Sequence, residues 1–165
     1  MPWKQKWRKE MNGKLKVNVY KGLPMILEKI KAVALAKVIG KADSWMVMKL
    51  RHSEVKGRNL EFYESDIELI NKGLVELGDL IASSLIEYTP DREQVIASVR
   101  AVDVYVYMPY IYLEVLKQNR LWYANRMRER KPGGKASSFK EDDILKMNMG
   151  IMQIANELRS IELAL

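Results

Sequence analysis

Two stretches of the chain carry the same signature. Ser65-x-x-Glu68 and Ser138-x-x-Glu141 both read as capping boxes, in which a hydroxyl and a carboxylate take up backbone N–H groups left free by a first helical turn. Apolar residues then follow at alternating three- and four-residue steps: Ile67, Ile70, Leu74, Leu77 and Ile81 after the first box, Met147, Ile151, Ile154, Leu158, Ile161 and Leu165 after the second. With about 3.6 residues per turn, such steps fall on one side of a helix, so each stretch must bury a seam against a partner. A chain with two such seams is expected to be all-α, an antiparallel helix bundle resembling a four-helix bundle, with helices over about 65–87, 90–130 and 138–164.

The middle helix is the least obvious of the three. VDVYVYMPYIY would pass for a strand on propensity alone. Val95, Val99, Val102, Val106, Pro109, Leu113 and Leu116 nevertheless keep the three-four rhythm, which predicts one long helix kinked near Pro109. Thr89, Pro90 and Asp91 suit its N-cap and first turn. Tyr105, Tyr107, Tyr110 and Tyr112 spread around it, which fits burial by the bundle and by a neighbouring molecule as well as ordinary core packing.

Charge divides the chain more sharply than hydrophobicity does. Residues 1–60 hold fifteen of the 28 Lys and Arg against only Glu10, Glu28, Asp43 and Glu54. Residues 61–116 reverse the balance, with three basic and eleven acidic residues. A second basic block at 117–140 has eight cations against Glu129, and 141–165 returns to a small negative excess. The net charge of +7 is the remainder of a strong internal polarity, and one end of the protein is built to meet a polyanion.

Residues 1–60 therefore read as a basic arm and 61–165 as the body. In the arm, Trp3 and Trp7 lie one helical turn apart among Lys4, Lys6, Arg8 and Lys9, with Lys14, Lys16 and Lys21 following. The functional reading is a segment lying along a phosphate backbone; a solvated tail and an anchor on anionic lipid are the alternatives. A helix is expected over about 24–50, opened by Pro24 and bent at Gly40. Its apolar residues are not confined to one stripe, and Lys29, Lys31, Lys37, Lys41 and Lys49 are mixed among them. That pattern suits a helix held between a polyanion and other protein, or a bundle helix with a solvated lysine face. Arg51, Lys56 and Arg58 lie in the connection from arm to body, with His52, the only histidine, read as a surface loop residue. Arg126, Arg128, Arg130 and Lys131 crowd the end of the long helix, more cations than its dipole needs, and complete the candidate phosphate contacts.

Other chemistry finds little footing. There is no cysteine, hence no disulfide, thiolate metal site or thiol nucleophile. GGKASS lacks the first glycine and the Ser or Thr after lysine that a phosphate loop requires, and no hydrolase, dinucleotide or di-iron motif occurs, so neither an enzyme nor a cofactor is expected. No apolar run is long enough to span a membrane. Lysine-rich composition without a helix-turn-helix favours phosphate contact over base reading. Two binding readings remain: a structural protein coating nucleic acid in many copies, and a small helical DNA- or RNA-binding regulator acting in the cytoplasm as monomer or dimer.

A basic helical region from MPWKQKWRKE to WMVMKLRH, joined to a body running from YESDIELI to IANELRSIELAL, resembles the major coat proteins of filamentous archaeal viruses in layout and charge. The resemblance implies a virion protein that wraps linear double-stranded DNA, holds it in the A form without reading its sequence, and stacks four-helix bundles into a helical nucleocapsid. Its partners would be duplex DNA, further copies of itself or a related coat protein, and a viral envelope. A fourth helix for the body would come from 24–50 or from a split at Pro109.

Overall fold

The computed structural model describes residues 14–52, 54–55, 58–129 and 137–165, and it is mainly helical. In chain order it contains β1 (Leu15–Asn18), α1 (Val19–Leu27), α2 (Ala32–Ile39), α3 (Asp43–Leu50) and a small antiparallel hairpin of β2 (Glu54–Val55) with β3 (Arg58–Asn59). There follow α4 (Glu64–Ala82), α5 (Arg92–Asp103), the short α6 (Met108–Tyr110) continuing as a π-helix over Ile111–Val115, α7 (Arg120–Met127), α8 (Glu141–Ser160) and β4 (Ile161–Ala164).

The two seams find each other. Ile67, Ile70, Leu74, Leu77 and Ile81 of α4 and Met147, Ile151, Ile154 and Leu158 of α8 are all buried. The helices run in opposite directions, since Ile86 just beyond α4 meets Asn148, Gly78 meets Ala155 and Asn71 meets Leu163. Gly78 permits the approach: a Cβ there would sit 2.9 Å from the Ala155 carbonyl oxygen. At each end an asparagine amide does the work of a strand neighbour. Asn148 accepts from the Ile86 N–H and donates to its carbonyl, both at 2.8 Å. Asn71 treats Leu163 the same way, at 2.8 and 2.9 Å.

Both helix starts differ from the expected serine caps. The N-caps are Tyr63 and Lys140, whose N–H groups donate to the carboxylates of Asp66 at 2.8 Å and Asp143 at 2.9 Å. A carboxylate is a stronger acceptor than a hydroxyl and lies favourably at a positive helix terminus, so the aspartates set the boundary. The first helix also stops at Ala82, short of the expected 87, and the rhythm of the last one ends at Ser160. Beyond it the chain extends as β4, pairing in parallel with β1 from Leu15↔Ile161 to Asn18↔Ala164. Burial there alternates, with Ile161 and Leu163 inside, and Leu165 is 52% exposed. The expectation of an all-α chain is corrected to a mainly helical one with, among the described residues, two small two-stranded sheets.

The expected helix over 24–50 is three helices. It begins earlier, where the Asn18 side chain accepts from Tyr20 N–H at 2.9 Å, and Pro24 falls inside α1. It breaks between Glu28 and Lys31 because those backbone groups are claimed elsewhere: Lys31 N–H donates to the Tyr105 carbonyl and Tyr107 N–H to the Lys29 carbonyl, both at 2.9 Å. Gly40, at a left-handed φ of 73°, closes α2. Val19, Leu23, Ile26, Ile30, Leu35 and Met46 all join the core, so residues 14–52 share one interior with the seam helices.

The same bridge interrupts the expected helix over 90–130. Asp91, not Thr89, caps α5 by accepting from Glu93 N–H at 3.0 Å, and α5 ends at Asp103. Val95, Val99, Val102 and Val106 are buried as the rhythm requires, whereas Leu113 is 47% exposed. Pro109 opens α6 instead of kinking a longer helix. The π-helix closes through Leu116 N–H to the Ile111 carbonyl at 3.0 Å. Lys117 at a φ of 55° then reverses the chain, and Asn119 caps α7 by accepting from Trp122 N–H at 2.8 Å.

Candidate nucleic-acid interface

The first basic block folds around an aromatic cluster. Tyr20, oriented by the Asn18 cap, stacks on His52 at 4.8 Å between ring centres, and its hydroxyl accepts from Phe62 N–H at 3.2 Å. Phe62 is buried and packs nearly perpendicular to Trp45, with ring centres 6.0 Å apart. His52 holds a left-handed φ of 51°, unusual for a side chain of its size, and is exposed as a loop histidine should be. Lys21 and Arg51 are the chain neighbours of the stacked pair, both exposed, and exposed Lys41 lies over Trp45 at 5.3 Å. Cations and flat rings thus share one surface, the combination that meets phosphates and sugar or base faces together.

Three expected contact residues are paired with carboxylates, and one of them, Lys49, is buried. Lys49 is only 7% exposed, with Trp45 and Tyr63 at 5.0 and 4.8 Å, and its ammonium donates to Asp66 at 2.6 Å. Lys29 donates to Glu157 at 2.7 Å and Lys31 to Asp103 at 3.1 Å. Burial pulls the Lys29 pKa down, but the Glu157 hydrogen bond and charge, with Tyr110 and Glu28, outweigh it and raise it above 10.5. Lys14, Lys16, Lys21, Lys37, Lys41 and Arg51 are exposed and have no carboxylate within salt-bridge distance among the described residues. Lys4, Lys6, Arg8, Lys9, Lys56, Arg130 and Lys131 lie outside the described residues, and Arg58 is placed only as part of β3.

The second basic block is built on different elements. Arg126 stacks over Trp122 at 4.0 Å and donates to that residue's carbonyl at 3.1 Å, while Arg128 is exposed. Trp122 and Tyr123 pack on Phe139, and Tyr123 stacks on Tyr112 at 4.9 Å. Burial raises the Tyr123 pKa well above its ordinary value of 10.0, with Asp103 and Tyr112 adding to it. Arg92, absent from the expected set, ties this end together: it donates to the carbonyls of Arg126 at 3.0 Å, Arg128 at 2.6 Å and Ser137 at 3.1 Å. Only its carbonyl partners, 34 to 45 residues away, reveal the role, and no local pattern encodes them. No hydrogen bond or ion pair joins the two basic blocks among the described residues.

Among the described residues there is no group of His, Asp and Glu arranged to hold a metal, and no helix is long and apolar enough to cross a membrane. Comparisons with protein families, with curated proteins and with solved structures return no match for this chain.

Proposed function

We propose that the protein is a structural nucleic-acid-coating protein, a viral major capsid protein that wraps double-stranded DNA without reading sequence and assembles, in many copies or with a related coat protein, into a helical nucleocapsid within the virion. The observation that carries this reading is the surface around the Tyr20–His52 stack, where Lys21, Lys41 and Arg51 stand exposed while the inward lysines are neutralised by carboxylates. Point charges on Lys suit phosphates, and flat rings beside them tolerate any base or sugar. The basic residues of 1–13 belong to the same block in sequence, and the helical body, read as a bundle, carries the contacts between copies and with an envelope. The Arg126 and Arg128 end supplies a second phosphate contact.

Affinity for linear duplex DNA, measured against salt, is expected to fall steeply and alike for unrelated sequences, with filaments visible by electron microscopy. Each phosphate contact contributes about 0.9 to the slope of log affinity against log salt. Replacing Lys21, Lys41 and Arg51 together by Gln should therefore lower the slope by roughly 2 to 3. Replacing Lys31 by Gln should leave it unchanged. A slope indifferent to the triple substitution, or a footprint confined to one operator with discrete particles, would instead mark a small regulator.

A further inference from the structure

Beside α1 lies an open groove of about 590 Å³ lined by Glu28, Tyr107, Pro109, Tyr110, Leu113 and Glu114. Its apolar walls are bare: Tyr107 and Leu113 are each 47% exposed, and so is 54% of Met25, one helical turn before Glu28. Both acids are exposed, and Glu28 has no cation within salt-bridge distance among the described residues. Carboxylates in an apolar trough repel phosphate and suit a cation carried beside an apolar side chain.

That chemistry stands at the groove's own rim. Past the π-helix the chain reverses, with Gln118 N–H donating to the Tyr112 carbonyl at 2.7 Å, Lys117 at a φ of 55° and Asn119 capping α7. All five residues from Lys117 to Leu121 are exposed. The Lys117 ammonium lies 3.7 Å from the Glu114 carboxylate, which fixes this knob beside the groove, and the three further residues to Arg120 and four to Leu121 span at most roughly 14 Å. Arg120 has no carboxylate within salt-bridge distance among the described residues. Leu121, 67% exposed, does not fill the groove of its own chain.

We infer that this surface binds a second copy of the chain about a two-fold axis, each copy setting Leu121 against Tyr107 and Leu113 of the other and Arg120 beside the other's Glu28. An acidic groove adjoining a basic, leucine-tipped knob is complementary to itself when turned by half a rotation. The contact is then made twice and closes as a dimer. The groove has room for several side chains, as a leucine with a neighbouring arginine requires. The contact needs no nucleic acid, and it goes beyond the coating reading by naming the surface through which two copies pair.

In sedimentation without DNA, the full chain is expected to run as a dimer that dissociates on dilution. Leu121→Asp should leave it monomeric with the helical circular dichroism unchanged, because the position is exposed. Glu28→Arg alone, or Arg120→Glu alone, should weaken the dimer by roughly tenfold by setting like charges together, and both changes in one chain should restore it. The chain has no cysteine, so introduced thiols report the contact directly. Chains carrying Leu113→Cys mixed with chains carrying Leu121→Cys should form an inter-chain disulfide at least tenfold faster than Glu76→Cys chains, altered on the exposed side of α4, mixed with the same Leu121→Cys chains. A monomer at every concentration, a double charge reversal as weak as its single changes, or equal disulfide rates would overturn the inference. So would growth beyond two copies with concentration, which marks a head-to-tail contact. A dimer that binds no DNA would leave this contact standing and remove the coating function; a chain that coats DNA and stays monomeric without it would do the reverse.

Discussion

The α4–α8 pair and the stretch from Val95 to Leu116 share one apolar rhythm and fold differently. In the pair, each helix runs unbroken for nineteen or twenty residues because nothing competes for its backbone groups until an asparagine or an aspartate does so at the ends. In the middle stretch, the backbone around Val106 is bonded to that around Ile30, and the helix must stop there. Rhythm therefore states which face is buried, and competition for N–H and C=O groups decides how far the helix goes.

The sharpest way to break the comparison is at Gly78. Gly78→Val would drive side-chain atoms against the Ala155 carbonyl and Leu158, where backbone and not a side-chain tip must yield. A loss of about 3 kcal/mol is expected in urea unfolding, with the whole domain melting in one step. A cost under about 1 kcal/mol would mean that the pair is not the frame of the fold.

Gly150→Ala probes the point where the two regions meet. The new methyl crowds Val115, a side chain that can move, and alanine recovers about 1 kcal/mol of helix propensity, so the net loss should be about 1 to 2 kcal/mol. Amide exchange should quicken over Ile111–Leu116 and stay unchanged in α4. Shortening the neighbour as well, with Val115→Ala, should relieve the crowding and bring exchange partway back.

The smallest effect concerns protons in the middle stretch. The Tyr123 pKa is raised by burial, so the folded state holds its proton more tightly than the unfolded chain, whose tyrosine titrates near 10. That contribution is intact below about pH 10 and is lost as pH climbs through the folded value. Lys29, also raised, acts in the same direction at its own higher range. Tyr123→Phe should flatten the alkaline decline in thermal midpoint, by less than about 1 kcal/mol at pH 10.5, and leave the slope at pH 6 to 8 untouched.

How much of this was legible follows from the same distinction. The seams of α4 and α8 and the valines of α5 could be read because local periodicity encodes a buried face. The strands at 15–18 and 161–164 could not, since each is extended only because the other is there. Lys21 and Lys29 look alike in sequence. One stays exposed and the other is claimed by Glu157, 128 residues later, so charge counting could not sort exposed cations from paired ones. Asn71, Asn148 and Arg92 were invisible for the same reason: their partners are remote backbone atoms, not neighbours in the sequence.

The pairing of β1 with β4 also orders events in time. During synthesis the first strand emerges with no mate, because the residues that complete it, Ile161 to Ala164, follow it by 146 residues (161 − 15). Contacts of such long sequence separation are slow to form, and until they do, Val19 and Leu23 beside β1 lack their finished surroundings. The core beside β1 thus closes only once Ile161 to Ala164 have been made. A chain broken off before Ile161 would keep the residues of every described helix and lack the strand that fastens β1.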